Sequence, residues 1–159
     1  MTKSVVLLNV DTRGVATITL NRPEVNNAYN GEVIEAMIDA VGQCASNDDI
    51  RVLVIKGNGK HFQAGADLKW LKEIGSLSPD ENINVSRLTA TAIRGLTEIS
   101  KPTVALIHGG CFGGGTGIAA ACDIVLASND AIFSITETRW GVMASVIIPQ
   151  LNASIGVRN

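Results

Sequence analysis

Two uninterrupted apolar runs constrain this chain most: IRVLVIKG at residues 50–57 and the core of KPTVALIH at residues 101–108. Neither alternates apolar with polar, as a strand with one wet face would, so both predict strands buried on both faces of a sheet. Such strands need helices packed against them, and the flanking sequence supplies the period. Residues 31–45 put Val33, Ile34, Met37, Ile38, Val41 and Cys44 on one helical face, with Asn30 or Gly31 at the cap and acids in the first turn. The stretch SPDENINVSRLTATAIRGLTEIS turns Val85, Leu88, Ala92, Ile93, Leu96 and Ile99 inward. Ahead of these, VVLLNV and GVATITL are joined by DTRG, a hairpin signal. A polar, Asn-rich loop follows, in which Pro23 blocks strand continuation. DIVLAS and AIFS add two later strands. With no repeat, linker or compositional break, the 159 residues form one α/β layered domain.

Both apolar runs end in small residues. The second flows into GGCFGGG, five glycines within seven residues, and then into a small-residue helical segment. Glycine costs backbone entropy on folding, so the cluster needs a reason. A phosphate cradle is one candidate, but neither a GxxxxGK[ST] nor a GxGxxG motif with its downstream acid is present. Close helix–strand packing is a second. The third is that backbone N–H groups at a helix start are bared to stabilise a developing negative charge. The first run repeats the arrangement: strand, small-residue turn AGAD, helix. Two such turns at the carboxyl edge of a sheet, where α/β folds bind ligands, offer two convergent donors.

Composition excludes several classes. A formal net charge of −2 lacks the basic footprint of a nucleic-acid binder. No apolar run reaches membrane-spanning length, and MTKSVVLLNVD is too quickly polar for a signal peptide. Cys44, Cys111 and Cys122 show no ligand spacing and read as buried, reduced thiols. The expectation is a cytoplasmic domain with no nucleic-acid or membrane partner.

LNRPEVNNA, HFQAGADLKWL, GGCFGGGTG followed by ACDIVLAS, and AIFSITETRWG occur in order at fitting separations. Together they resemble the crotonase superfamily of enoyl-CoA hydratases and isomerases over essentially the whole chain. That resemblance implies a crotonase-like α/β spiral of repeated ββα units and an acyl-CoA thioester substrate. It also implies a homotrimer or hexamer and no cofactor beyond the coenzyme A of the substrate. It places the two oxyanion-binding N–H groups on Ala66 and Gly114, and the acid–base carboxylate on Glu137, in a pocket with Trp140 and Phe133. In this picture a Cβ on the glycines flanking Gly114 would crowd the acyl chain.

Further acyl-CoA contacts fall, by the same resemblance, on Asn26, Asn27 and Ala28, on Ala64, Asp67, Leu68 and Lys69, and on Gly113 and Trp140. Family hydratases typically carry a second glutamate three residues after the middle glycine; here that position is Gly117. The expected activity is enoyl-CoA hydration. The alternatives are a double-bond isomerase using one carboxylate, and a non-catalytic acyl-CoA-binding oligomer. Restoring a carboxylate at Gly117 should then raise hydration over isomerisation. Arg139 would either pair with a surface acid or meet a carboxylate on the acyl group. His61 and His108 match no catalytic position of the family and read as loop-packing residues. Family chains usually run on for roughly another hundred residues, within ordinary domain sizes. The chain therefore reads as a truncated core whose exposed edges favour self-association.

Overall fold

The computed structural model describes residues 4–158, with the side chain of Trp140 set aside. The hairpin forms as expected: β1 (Val6–Val10) and β2 (Val15–Leu20) pair antiparallel across the DTRG turn. Its tip is held by Asp11, which accepts N–H bonds from Arg13 and Val15 at 2.9 and 3.0 Å. β3 (Val52–Gly57), β4 (Thr103–Ile107) and β6 (Ile124–Ala127) then add in parallel, giving the order β1-β2-β3-β4-β6. Register runs straight across the sheet, from Leu8 through Ile18, Ile55 and Ala105 to Val125.

One face of this sheet carries the core. α1 (Gly31–Ser46) starts at Asn30, whose side chain accepts the Val33 N–H. α3 (Pro79–Glu98) starts with a capping box between Ser78 and Glu81. The two helices bury Val33, Ile34, Met37, Val41 and Cys44 against Ala92, Ile93 and Leu96, over Ile18, Leu53, Ile55 and Ala105. Leu88 does not join them; it is exposed, and Thr89 takes the inward place.

The expectation of strands buried on both faces fails in detail. Leu53 and Ile55 of β3 and Ala105 and Ile107 of β4 are buried, while Val52, Val54, Val104 and Leu106 between them are only half-buried. β6 is exposed along its whole length. Among the described residues helices cover one face of the central strands and the other only in part, so the apolar runs exceed what this chain itself buries. Cys44 and Cys111 are buried and Cys122 is half-buried, all three as free thiols.

The glycine cluster hides a strand. β5 (Gly110–Phe112) leaves the main sheet and pairs in parallel with β7 (Ile132–Ser134). α4 (Gly114–Ala121) starts one residue after Phe112–Gly113, and α2 (Leu68–Ile74) follows the AGAD turn. α5 (Ile148–Ile155) packs against α4. Among the described residues, no helix is long and apolar enough to cross a membrane.

Candidate active site

The AGAD turn is stitched to its surroundings one amide at a time. Phe62 N–H donates to His108 O at 2.9 Å, Gln63 N–H to Gly110 O at 3.1 Å, and Ala64 N–H to Asn26 O at 3.0 Å. Gly65 N–H donates to the side chain of Gln63 at 2.8 Å, and Asp67 N–H to Tyr29 O at 2.8 Å. Among the described residues, the Ala66 N–H alone in this run finds no acceptor. Ala66 is half-buried and lines a cleft, so this N–H is open to solvent or to a bound molecule.

The glycine turn repeats the pattern. Phe112 N–H donates to Gln63 O at 2.8 Å, Gly113 N–H to Ser134 O at 2.9 Å, and Thr116 N–H to Gly113 O at 2.9 Å. The N–H groups of Gly114 and Gly115, at the start of α4, have no acceptor among the described residues. Helix geometry leaves these first donors free and adds a partial positive charge to them. The two turns touch: a Cβ on Gly65 would lie 3.5 Å from Phe112 O and 3.9 Å from Gly113 Cα.

What approaches the glycines so closely is the protein's own side chains. Gly113 has φ +51, and a Cβ there would sit 2.6 Å from Glu137 Oε1. A Cβ on Gly114 would meet Cε1 of Tyr29 at 2.6 Å. Crowding of the acyl chain is therefore not what excludes side chains here; the glycines let Glu137 and Tyr29 lie directly on the backbone that carries the free donors. Glu137 opens the 3-10 turn Glu137–Trp140, and its Oε2 is buried without a hydrogen-bond partner among the described residues. Tyr29 is tied to the same turn, its N–H donating to Gly65 O at 2.9 Å and its ring packing edge-on to Trp70 at 5.7 Å. Burial, and next the charge of Glu137, push its phenol up to about 12.

These groups open into a cleft of about 360 Å³. The AGAD turn and α2 line it with Ala64, Gly65, Ala66, Leu68 and Leu71. Tyr29, Phe112, Thr136, Glu137 and Arg139 add to the lining, as do Val142, Met143, Ala144 and Val146. The cleft is lined by the Ala66 backbone and the Glu137 side chain, and Tyr29 lines both it and the hollow that Gly114 borders.

A family model described as enoyl-CoA hydratase/isomerase matches residues 11–159. The chain belongs to this family. Among relatives, it is 33% identical over 129 residues to the short-chain-enoyl-CoA hydratase of Clostridium acetobutylicum, covering 80% of this chain and 48% of the relative. It is 31% identical over 169 residues to the peroxisomal Delta(3,5)-Delta(2,4)-dienoyl-CoA isomerase of Arabidopsis thaliana, covering 99% and 60%. The crystal structure of an enoyl-CoA hydratase from Shewanella pealeana superposes with a TM-score of 0.93 at 30% identity, covering 97% of this chain and 58% of that one. The chain spans about 60% or less of the length of these relatives.

Within this crotonase fold, Ala64, Ala66, Leu68 and Glu137 line the cleft, while Gly114 lies beneath the Tyr29 ring and lines an adjoining apolar hollow. Several other sequence-derived contacts serve the scaffold. The side-chain amide of Asn27 donates to Asn58, His61 and Phe62 carbonyls at 2.8, 2.9 and 3.1 Å and accepts from Arg22 N–H, leaving nothing for a ligand. Asn26 is exposed in a left-handed turn with φ 54, and Ala28 is buried. Asp67 caps α2 and pairs with Arg22 at 3.1 Å. Burial alone would raise its carboxyl, but Arg22 and the α2 N–H groups outweigh that and hold it below the usual value. Lys69 is exposed on α2, and Gly113 lies under Glu137 instead of facing the cleft. The Trp140 side chain lies outside the described residues.

Phe133, expected beside Glu137, instead lines a separate hollow between α4 and α5. His61 accepts the Gly110 N–H at 2.8 Å, and His108 Nε2 lies 2.9 Å from Gly59 O, so both pin loops. Arg139 forms no ion pair among the described residues and lines the cleft. Tyr29 and the 142–146 wall are the residues that motif reading missed. Tyr29 sits one place before a helix cap, and no spacing rule singles it out.

Proposed function

We propose that this chain is the catalytic core of an enoyl-CoA hydratase. The reading is carried by one observation: among the described residues the Ala66 and Gly114 N–H groups lack acceptors in adjoining turns, and Glu137, whose Oε2 has no partner there, lies against Gly113, the residue before Gly114. A 2-enoyl thioester with its carbonyl oxygen between the two donors is polarised toward the enolate. Glu137 takes a proton from water as the hydroxyl bonds to C3, and the π electrons move to the thioester oxygen. Returning that proton to C2 completes addition. The donors bind the charged oxygen more strongly than the neutral carbonyl, and each is worth roughly 2.7–4 kcal/mol in barrier height. Thioester resonance is the electron sink, so the chemistry asks for no cofactor beyond the substrate's coenzyme A. Lys69 and Lys72 are exposed on α2, whose Leu68 and Leu71 line the cleft, and they suit the phosphate end of that coenzyme.

A second reading, double-bond isomerisation, is favoured by Gly117. No carboxylate stands there, and one carboxylate suffices to move a proton between C2 and C4. Incubation with 2-enoyl- and 3-enoyl-CoAs in ¹⁸O water separates the two. Label on C3 is expected; conversion of 3-enoyl to 2-enoyl product without label would overturn the hydratase reading in favour of isomerisation. The exposed apolar strip of Ile124, Val125, Leu126, Ile132 and Phe133 supports assembly into a trimer or hexamer, to be read from the mass in solution.

A further inference from the structure

The position three residues after the middle glycine is not merely empty of a carboxylate; it is filled. A Cβ on Gly117 would overlap the Ile147 side chain and come within 3.4 Å of Ile93 Cδ1, so this site faces packed aliphatic carbon and not the cleft. If Glu137 binds the nucleophilic water alone, only one of the water's two O–H groups is held. The other is free to swing, and the lone pair that must meet C3 is not aimed.

Four cleft-lining residues carry polar side chains: Tyr29, Thr136, Glu137 and Arg139. Arg139 is exposed and can donate but not accept. Thr136 precedes Glu137 on the same 3-10 turn. Tyr29 lines the cleft from the loop that leads into α1. Its ring edge lies on Gly114, with Cε1 2.6 Å and Cζ 3.5 Å from where a Gly114 Cβ would be, and the hydroxyl is bonded to Cζ. Its backbone is bridged to Ala66, so one residue is anchored to both turns that supply the oxyanion donors. The hydroxyl has no hydrogen-bond partner among the described residues.

We propose that Tyr29 is a further catalytic residue: its phenolic oxygen accepts the water O–H that Glu137 does not take, leaving a water lone pair aimed at C3. In the step, one water proton passes to Glu137, the C3–O bond forms, and the C2–C3 π pair moves to the thioester oxygen. The remaining O–H stays on the new hydroxyl, hydrogen-bonded to Tyr29, which neither gains nor loses a proton. The phenol, pushed up to about 12 chiefly by burial, stays neutral at working pH and keeps its own O–H while its oxygen accepts.

This role rests on the hydratase reading, and the test separates the two. Tyr29→Phe keeps the ring against Gly114 and Trp70 and removes only the hydroxyl. Hydration of a short 2-enoyl-CoA should fall in kcat by roughly 10-fold to 10²-fold, the cost of a misaimed reactant. The Kd for butyryl-CoA, which fills the cleft but reacts with no water, should stay within about 2-fold by the same geometric argument. Retained kcat, an equal loss of butyryl-CoA affinity, or a matching loss in Thr136→Val with none in Tyr29→Phe would each overturn the assignment. Absence of hydration in the unsubstituted protein would overturn the hydratase reading itself, and the water-holding role with it.

Discussion

At the scale of single residues, Gly117 and Ile147 decide how many carboxylates the site can use. The sequence alone suggests that Gly117→Glu restores a lost acid–base group. The packing argues otherwise, since even a methyl at that position collides with Ile147, which is fully buried. Gly117→Ala should destabilise by about 1–3 kcal/mol, the usual cost of overpacking a filled core. Gly117→Glu should fail to fold stably instead of gaining hydration. Urea denaturation of the alanine variant checks this, and an unchanged midpoint would show that Ile147 yields. Glu137→Gln is nearly isosteric, so the cleft should persist while kcat drops by ~10² or more with acyl-CoA binding intact. Turnover within a few-fold of the parent would remove Glu137 from the chemistry. Ala66, Gly114 and Glu137 stand out in the sequence because each sits in a short local motif. Tyr29 and Ile147 were not, because their importance comes from contacts with the α4 segment, 85 and 30 residues away in sequence.

At the scale of elements, the hairpin, α1, α3 and the parallel strands follow from periodicity and capping residues that act within a few positions. β5 escaped because a three-residue strand inside a glycine cluster has almost no side-chain pattern to show. The loop between β2 and α1 escaped for another reason. Asn27 looks like any polar loop residue, yet it is buried with φ 57 and satisfies three carbonyls of the segment that leads into the AGAD turn. It therefore sets where Ala66 stands. Asn27→Ala leaves buried acceptors unpaired and places a less tolerant residue at positive φ. It should cost about 2–4 kcal/mol, or roughly 5–15 °C in Tm for a chain of this size. Thermal unfolding followed by far-UV circular dichroism measures it. A shift below about 1 °C, on the same scaling, would mean the Asn27 contacts are replaceable by water.

At the scale of the whole molecule, the half-covered sheet face and bare β6 fit a chain that spans about 60% or less of its relatives' length. What it buries well, it buries with thiols and a phenol among the apolar groups, and this fixes how its stability responds to base. Burial pushes Cys111 and Cys122 from the ordinary 9.0 up to about 12, the latter opposed in part by its contact with Thr103. Burial together with Glu137 moves Tyr29 from 10.0 to about 12. Each raised value means that the folded chain keeps a proton which the unfolded chain releases. Between pH 9 and 12 the native state thus binds more protons, and stability falls as pH rises. The contribution is complete below pH 9 and is lost progressively up to about 12. For each group, every pH unit inside its window costs about 1.4 kcal/mol. Urea midpoints at pH 7.5 and 8.5 should agree, and the midpoint should drop steeply from pH 9.5 to 11. Tyr29→Phe should flatten the part of that fall above pH 10 without removing the part due to the thiols. A midpoint constant to pH 11 would show that the thiols and the phenol ionise in the folded chain as freely as in the unfolded one.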